Sequence, residues 1–344
     1  MGAQVNPHIE QLFANSLVID GVMSYHILED PDCGDSDCSH YPIKDFSQIK
    51  ALTGIDCGAV TVSNTIQLPE EHAVVVTYKA ASTNPFVKLI LTGNDIEKAK
   101  ADNRFALMLY TQKHDSLHGS IANLATFYEK GLRIFQLAYN ARIDPQNTTP
   151  DEMLAGGSDQ PDQGLTQLGK DVVRELNHLN MLVDVSHLSR PSVMDTIAIS
   201  TAPVLANHTN ARALTDSPRN KSDEELLAIA STGGVIGITP IKWMITRSPD
   251  GEAGIDDFIA HLDYIVDLVG IDHVGIASDS SLNGWWKSSR HYADEDMAAV
   301  DRWKRVATKL IKIEDSQGTR KYSDLDLQKL LGLNFLRIFK QVLI

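Results

Sequence analysis

Two short apolar runs of the same design each lead into a histidine. Met181–Ser186 (MLVDVS) runs into His187, and Pro203–Asn207 (PVLAN) runs into His208. Between them Arg190–Ser200 has a helical pattern, so the stretch predicts strand, helix, strand. A βαβ unit makes its two strands parallel neighbours, which sets the two imidazoles side by side at one edge of a sheet. Neutral imidazole is the commonest protein ligand for zinc, and a pair at adjacent strand ends is the start of a metal site. One such histidine alone more often caps its strand and hydrogen-bonds a loop; two on neighbouring strands reverse that expectation.

The flanking chain supplies elements to hold such a pair. Apolar runs at Leu17–Val22, Asp56–Asn64, Phe105–Tyr110 (continuing to Gln112) and Leu132–Asn140 predict four strands before the histidine unit. Gly233–Pro240 and Asp272–Asp279 predict two after it. Helical spacing falls at Asn84–Ala101, Ser120–Lys130 (ended by Gly131), Thr166–Leu179, Ile255–Val269 and Ser323–Val342. Ser222 with Glu225 three residues on makes a capping box that starts another. Eight strands alternating with helices, and no glycine-rich phosphate fingerprint after the first, predict a single (β/α)8 TIM-type barrel, amidohydrolase-like, over residues 1–344. Long loops are expected at about 23–55, 141–165 and 281–320; the middle one has the length and polarity of a functional lid.

In such a barrel the site lies where the strands end. Those ends read Val22 to Ser24, Asn64, Gln112, Tyr139–Asn140, His187, His208, Thr239 and Asp279, a mostly polar ring. Other chemical side chains have plainer readings. Cys33, Cys38 and His40 match no zinc spacing and read as an acidic surface loop. His178 and His261 are expected to be solvated on helices, and His273, at the far end of its strand, structural. Trp285 and Trp286 could line the pocket or a dimer face.

Composition excludes some classes. A formal net charge of −14 argues against a nucleic-acid or anionic-membrane partner. The N-terminus shows neither a basic segment nor an apolar run, and three cysteines make no disulfide framework, so a reduced, cytoplasmic protein is expected.

Several stretches together resemble the renal (membrane) dipeptidase family of zinc metallopeptidases. They are GLTQLGKDVVRELNHLNMLVDVSHLS, PVLANHTNARAL, PRNKSDEELLAIASTGGVIGI and HLDYIVDLVGIDHVGIASD, with ANLATFYEKGLRIFQLAYN before and GLNFLRIF after them. The resemblance runs in order from Val18 to Phe339. It implies a barrel with two zinc ions at its mouth that cleaves dipeptides, commonly as a homodimer. It places His187 and His208 on two zinc histidines and Asp279 on the aspartate closing the last strand. Arg219 falls on the arginine that grips the substrate carboxylate, a task that a guanidinium fork suits.

Three departures bear on mechanism. Where the family has Asp-Gly-His-Asn-Asp, this chain has Asp20, Gly21, Val22, Met23 and Ser24, without the His and second Asp ligands. Gln112 replaces the glutamate that bridges two metals, and Tyr139 replaces a histidine that helps polarise the scissile carbonyl. His26, His114, Asp115 and His118 lie near the gaps but read as loop residues. The expectation is therefore a dipeptidase-like hydrolase acting on an amide in a small carboxylate-bearing molecule, with one zinc at most, and none as an open alternative. His187, His208 and Gln112 would hold the metal, Asp279 would move the proton, Tyr139 would donate to the oxyanion, and Arg219 with Asn140 would bind substrate. The alternatives are a metal-free enzyme doing acid–base elimination or isomerisation in the same pocket, and a silent ligand-binding barrel.

Overall fold

The computed structural model describes residues 6–24, 46–62, 81–112, 117, 119–140, 153–247, 251–281 and 294–344. Ten parallel-paired strands form one sheet among them. These are β1 (Ile19–Ser24), β2 (Cys57–Thr61), β3 (Val87–Leu89), β4 (Phe105–Thr111), β5 (Leu132–Gln136), β6 (Leu182–Asp184), β7 (Leu205–Thr209), β8 (Val235–Ile238), β9 (Val274–Ile276) and β10 (Ser280–Ser281). The order is β10-β1-β2-β4-β5-β6-β7-β8-β9, with β3 added to β4. Because β10 continues β9 and pairs with β1, the sheet returns on itself as a (β/α)8 TIM-type barrel.

Asp20 fastens that seam. Its Oδ1 accepts from the Ser278 N–H (2.7 Å) and the Val22 N–H (3.3 Å), and its Oδ2 from the Trp303 indole N–H (3.2 Å). The Asp-Gly pair of the first strand is therefore structural here. Burial pushes the Asp20 carboxyl up to about 6, against these hydrogen bonds and the Arg302 charge.

Ile19, Ala59, Met108, Ile134, Leu182, Leu205 and Ala277 fill the barrel interior with Phe335 of the C-terminal helix. The Phe335 ring lies where a side chain on Gly21 or Gly275 would stand, 2.7 and 2.4 Å from their notional Cβ positions. Alternate strand residues such as Val183, Ala206 and Ile236 face outward onto Val172, Leu176, Leu226, Phe258 and Leu262 of the surrounding helices. Each fully buried Val, Leu, Ile or Phe side chain among these contributes about 1.5–3 kcal/mol.

Four expectations fail in instructive ways. Asn84–Ala101 is not one helix: Val87–Leu89 pairs with β4 and joins the sheet, and the helix begins only at Asn94. Phe86 is 50% exposed. The 281–320 segment is not simply a polar excursion, since helices Glu295–Ala298 and Arg302–Leu310 pack back, with Trp303 buried against Phe258. The closing helix is Asp324–Gln328 and Asn334–Val342 joined by a π-helical turn, Lys329–Leu333, in which Gly332 meets the Leu17 carbonyl. His261 is buried rather than solvated. Its Nδ1 accepts from the Ala211 N–H (3.1 Å), and desolvation lowers it to about 4. The Ser222–Glu225 capping box is present, and His273 contacts the Gly234 carbonyl as a structural residue (2.9 Å).

Candidate active site

The two histidines meet. His187 lies three residues beyond β6 and His208 within β7, and their Nε2 atoms are 2.8 Å apart. Both are buried. Asn140 fixes the tautomer of the first: its Oδ1 accepts from His187 Nδ1–H at 2.7 Å and from the Ser158 hydroxyl at 3.0 Å. His187 Nε2 is then the bare nitrogen, and His208 Nε2–H donates to it. Asn140 reaches this position through a left-handed backbone (φ 48°), which Asn tolerates better than most residues. Tyr139 stacks on the His187 ring at 4.2 Å between centroids and is 41% exposed, so it forms part of the mouth.

The surroundings keep both imidazoles neutral. Desolvation holds them well below their usual range, and the nearby Arg219 and Lys221 charges push the same way. Arg219 is itself buried, with Nη1 on the Ser186 carbonyl at 2.6 Å, and the Asp279 charge partly compensates its desolvation. Asp279 follows β9 in a left-handed conformation (φ 50°). Enclosure raises its carboxyl to about 7, with Arg219 opposing and Asp20 reinforcing the shift. A carboxyl poised there can both take and return a proton near neutral pH.

Beneath the mouth lies a polar layer that sequence reading missed. Asp184 Oδ1 accepts from the Ser186 N–H (3.0 Å), the Ser186 hydroxyl (2.6 Å) and the Asn207 N–H (3.0 Å). Ser186 Oγ in turn accepts from the His208 N–H at 3.0 Å, so Asp184 sets the spacing of the two histidine strands. The Tyr110 hydroxyl sits between Asp184 Oδ2 and Gln136 Oε1 (2.7 Å). Gln136 cannot turn, because its Nε2 donates to the Gln112 and Ala138 carbonyls (3.1 and 2.9 Å). One hydroxyl proton cannot serve two acceptors at once, and burial raises the Asp184 carboxyl against the hydrogen bonds it receives from Asn207, Ser186 and Tyr110. The only sequence signal was an aspartate inside an otherwise apolar run.

Gln112 is buried just past β4, and its carbonyl is tied to β5 through Gln136. Asn64, His26, His114, Asp115, His118, Cys33, Cys38, His40, Trp285 and Trp286 lie outside the described residues. Among the described residues no group of three or more His, Cys, Asp or Glu side chains could hold a metal. Two neutral imidazoles suit a single cation once the His208 proton moves from Nε2 to Nδ1, a nitrogen with no hydrogen-bond partner among the described residues, so that both Nε2 atoms are bare. They do not suit a carboxylate-bridged pair, since Gln112 cannot supply the bridging charge. A tetrahedral zinc holds two imidazole nitrogens roughly 3.3 Å apart, so the rings need to part by about 0.5 Å. No helix among the described residues is long and apolar enough to cross a membrane.

Comparison with known proteins bears on the family and the fold. The family model for membrane dipeptidase (peptidase family M19) matches residues 43–343. An uncharacterized protein in the pqqA 5' region of Klebsiella pneumoniae is 30% identical over 264 residues, 74% of this chain and 89% of that one. An uncharacterized dipeptidase of Schizosaccharomyces pombe is 29% identical over 75% of this chain, which spans only 58% of that relative. Among solved structures, an amidohydrolase from Pseudomonas aeruginosa superimposes with a TM-score of 0.79 at 23% identity, covering 97% of this chain and 98% of that one.

Proposed function

The chain belongs to the membrane dipeptidase family, peptidase family M19, and from that premise we propose a hydrolase using one metal ion rather than two. Its substrate is a small molecule that carries a carboxylate beside the scissile amide. The observation that carries the reading is the His187–His208 contact, with the first ring's tautomer fixed by Asn140. His187 and His208 would hold the ion, with Gln112 as a neutral third donor. A zinc bound there supplies a Lewis acid and a water acidified to near neutral pH.

The chain's own groups do the rest. Arg219 holds the substrate carboxylate through the guanidinium nitrogens beyond the one on Ser186. Asp279 receives a proton on its carboxylate and returns it to the leaving amine. The Tyr139 hydroxyl, at the exposed side of the mouth, donates to the developing oxyanion. Asn140 keeps the His187 ring oriented throughout. The test is a dipeptide screen with and without added zinc. The expected result is zinc-dependent hydrolysis that is abolished in His187→Ala; hydrolysis unchanged in that variant would sink the proposal.

One observation favours a second reading. The direct 2.8 Å contact between the two imidazoles is already a satisfied hydrogen bond, suited to metal-free acid–base chemistry. Activity that survives exhaustive chelation yet disappears in His208→Ala would select it.

A further inference from the structure

Three consecutive carbonyls around His187 are each held by one donor. The Ser186 carbonyl accepts from Arg219 Nη1 at 2.6 Å, the His187 carbonyl from the Ser158 N–H at 2.8 Å, and the Leu188 carbonyl from Lys221 Nζ at 2.6 Å. Arg219 and Lys221 both belong to the segment that follows β7. That segment is closed at its base: Lys221 N–H donates to the Asn210 carbonyl, and the Lys221 carbonyl accepts from the Arg212 N–H, both at 2.9 Å. The cations that grip the His187 backbone thus begin where the strand bearing His208 ends, and one closed segment relates the two rings.

Lys221 is the unexpected member. It is only 1% exposed, and a buried ammonium persists where partners compensate its lost hydration. Glu225, equally buried, faces it at 3.8 Å, while the carboxylate's other oxygen serves the capping box of Ser222. The closer partner of the ammonium is the carbonyl beside His187, and a charged donor makes the stronger, shorter bond. An ion pair alone would not require that aim.

We infer that Lys221 is a positioning residue: drawn inward by Glu225, it pins the Leu188 carbonyl and so fixes the backbone from which the His187 ring is aimed at His208. It touches no substrate. A site of this kind tolerates displacements of only about 0.5 Å, so the aim of a ring matters as much as its presence. The inference rests on the reading of His187 as a zinc ligand, but its ring geometry can be tested apart from metal.

The experiment compares full-length wild type with Lys221→Met, which keeps the stem and loses the donor, and with Lys221→Gln, which can still donate. The double variant Lys221→Met with Glu225→Gln removes the carboxylate left alone, and serves if the single variant does not fold. Zinc itself is the probe, in competition with a chromophoric chelator. In parallel, ring nitrogen NMR follows the His187 Nδ1–H that Asn140 holds, with the His261 ring as an internal control. The expected result for Lys221→Met, or for the double variant, is zinc binding weakened at least about tenfold. The His187 Nδ1–H resonance should be shifted or lost while His261 is unmoved, and Lys221→Gln should recover part of both. Zinc affinity within about twofold of wild type and an unmoved His187 resonance in a folded variant would overturn the inference. If wild type itself binds no zinc, the single-metal reading falls, and the His187 resonance alone decides for or against Lys221.

Discussion

Replacing Asp279 by Asn should make the metal-free protein more stable at alkaline pH while disabling it. The Asp279 carboxyl titrates at about 7 in the folded chain against 3.8 for an unperturbed aspartate. The folded state therefore holds a proton that the unfolded state releases at lower pH. A raised carboxyl contributes its full share of stability below pH 3.8 and loses it as pH climbs through 7. Above that point ionised Asp279 costs up to roughly 4 kcal/mol relative to a neutral group. Asn cannot ionise, so the two proteins should match near pH 4, diverge progressively as pH rises from about 4 to 7, and stay apart above that. For a chain of this length about 4 kcal/mol corresponds to roughly 6 °C in melting temperature, an upper bound because neighbours relax. The assay is thermal unfolding of chelator-treated wild type and Asp279→Asn from pH 4 to 8.5. Melting curves that stay parallel across the range, or a variant less stable at pH 8, would refute the reasoning that enclosure raises this carboxyl.

Asn140→Ala should leave the fold intact and lower kcat/KM by about 10- to 100-fold, the usual cost of losing a group that orients a ligating histidine; steady-state kinetics with melting curves would check it. Arg219→Lys should lower kcat/KM at least about tenfold for substrates with a free carboxylate, with little change for the same substrates capped as amides, because a single ammonium cannot grip both oxygens. Gly169→Ala should destabilise by about 2 kcal/mol or more, since its Cβ would stand 1.8 Å from the Leu154 carbonyl oxygen; denaturant unfolding would show it.

The pair His187 and His208 was legible because its logic is local: one strand–helix–strand unit puts both rings at one edge. Asp279 and Arg219 became legible through motif resemblance, and the structure places them close enough for their charges to shift each other. What stayed hidden depends on partners distant in the chain. Lys221 precedes an N-cap serine and looks like surface, until the Leu188 carbonyl and Glu225 are seen around it. Ser158 lay in a stretch read as a long lid-like loop with no residue singled out, yet its N–H and hydroxyl serve His187 and Asn140. Val87–Leu89 lost to a helical pattern because its reason for being a strand is pairing with β4. His261 looked exposed by helical position, whereas the backbone at Ala211 folds over its ring. Periodicity sees one element at a time; these residues are decided between elements.

The most direct test of the account is the number of zinc ions per chain, measured by elemental mass spectrometry after equilibration with zinc and removal of the excess. One ion per wild-type chain, and none in His187→Ala or His208→Ala, is the predicted result. Two ions per chain would mean that other residues have rebuilt a paired site, and none would leave the histidine pair to work without metal; either would contradict the single-ion centre.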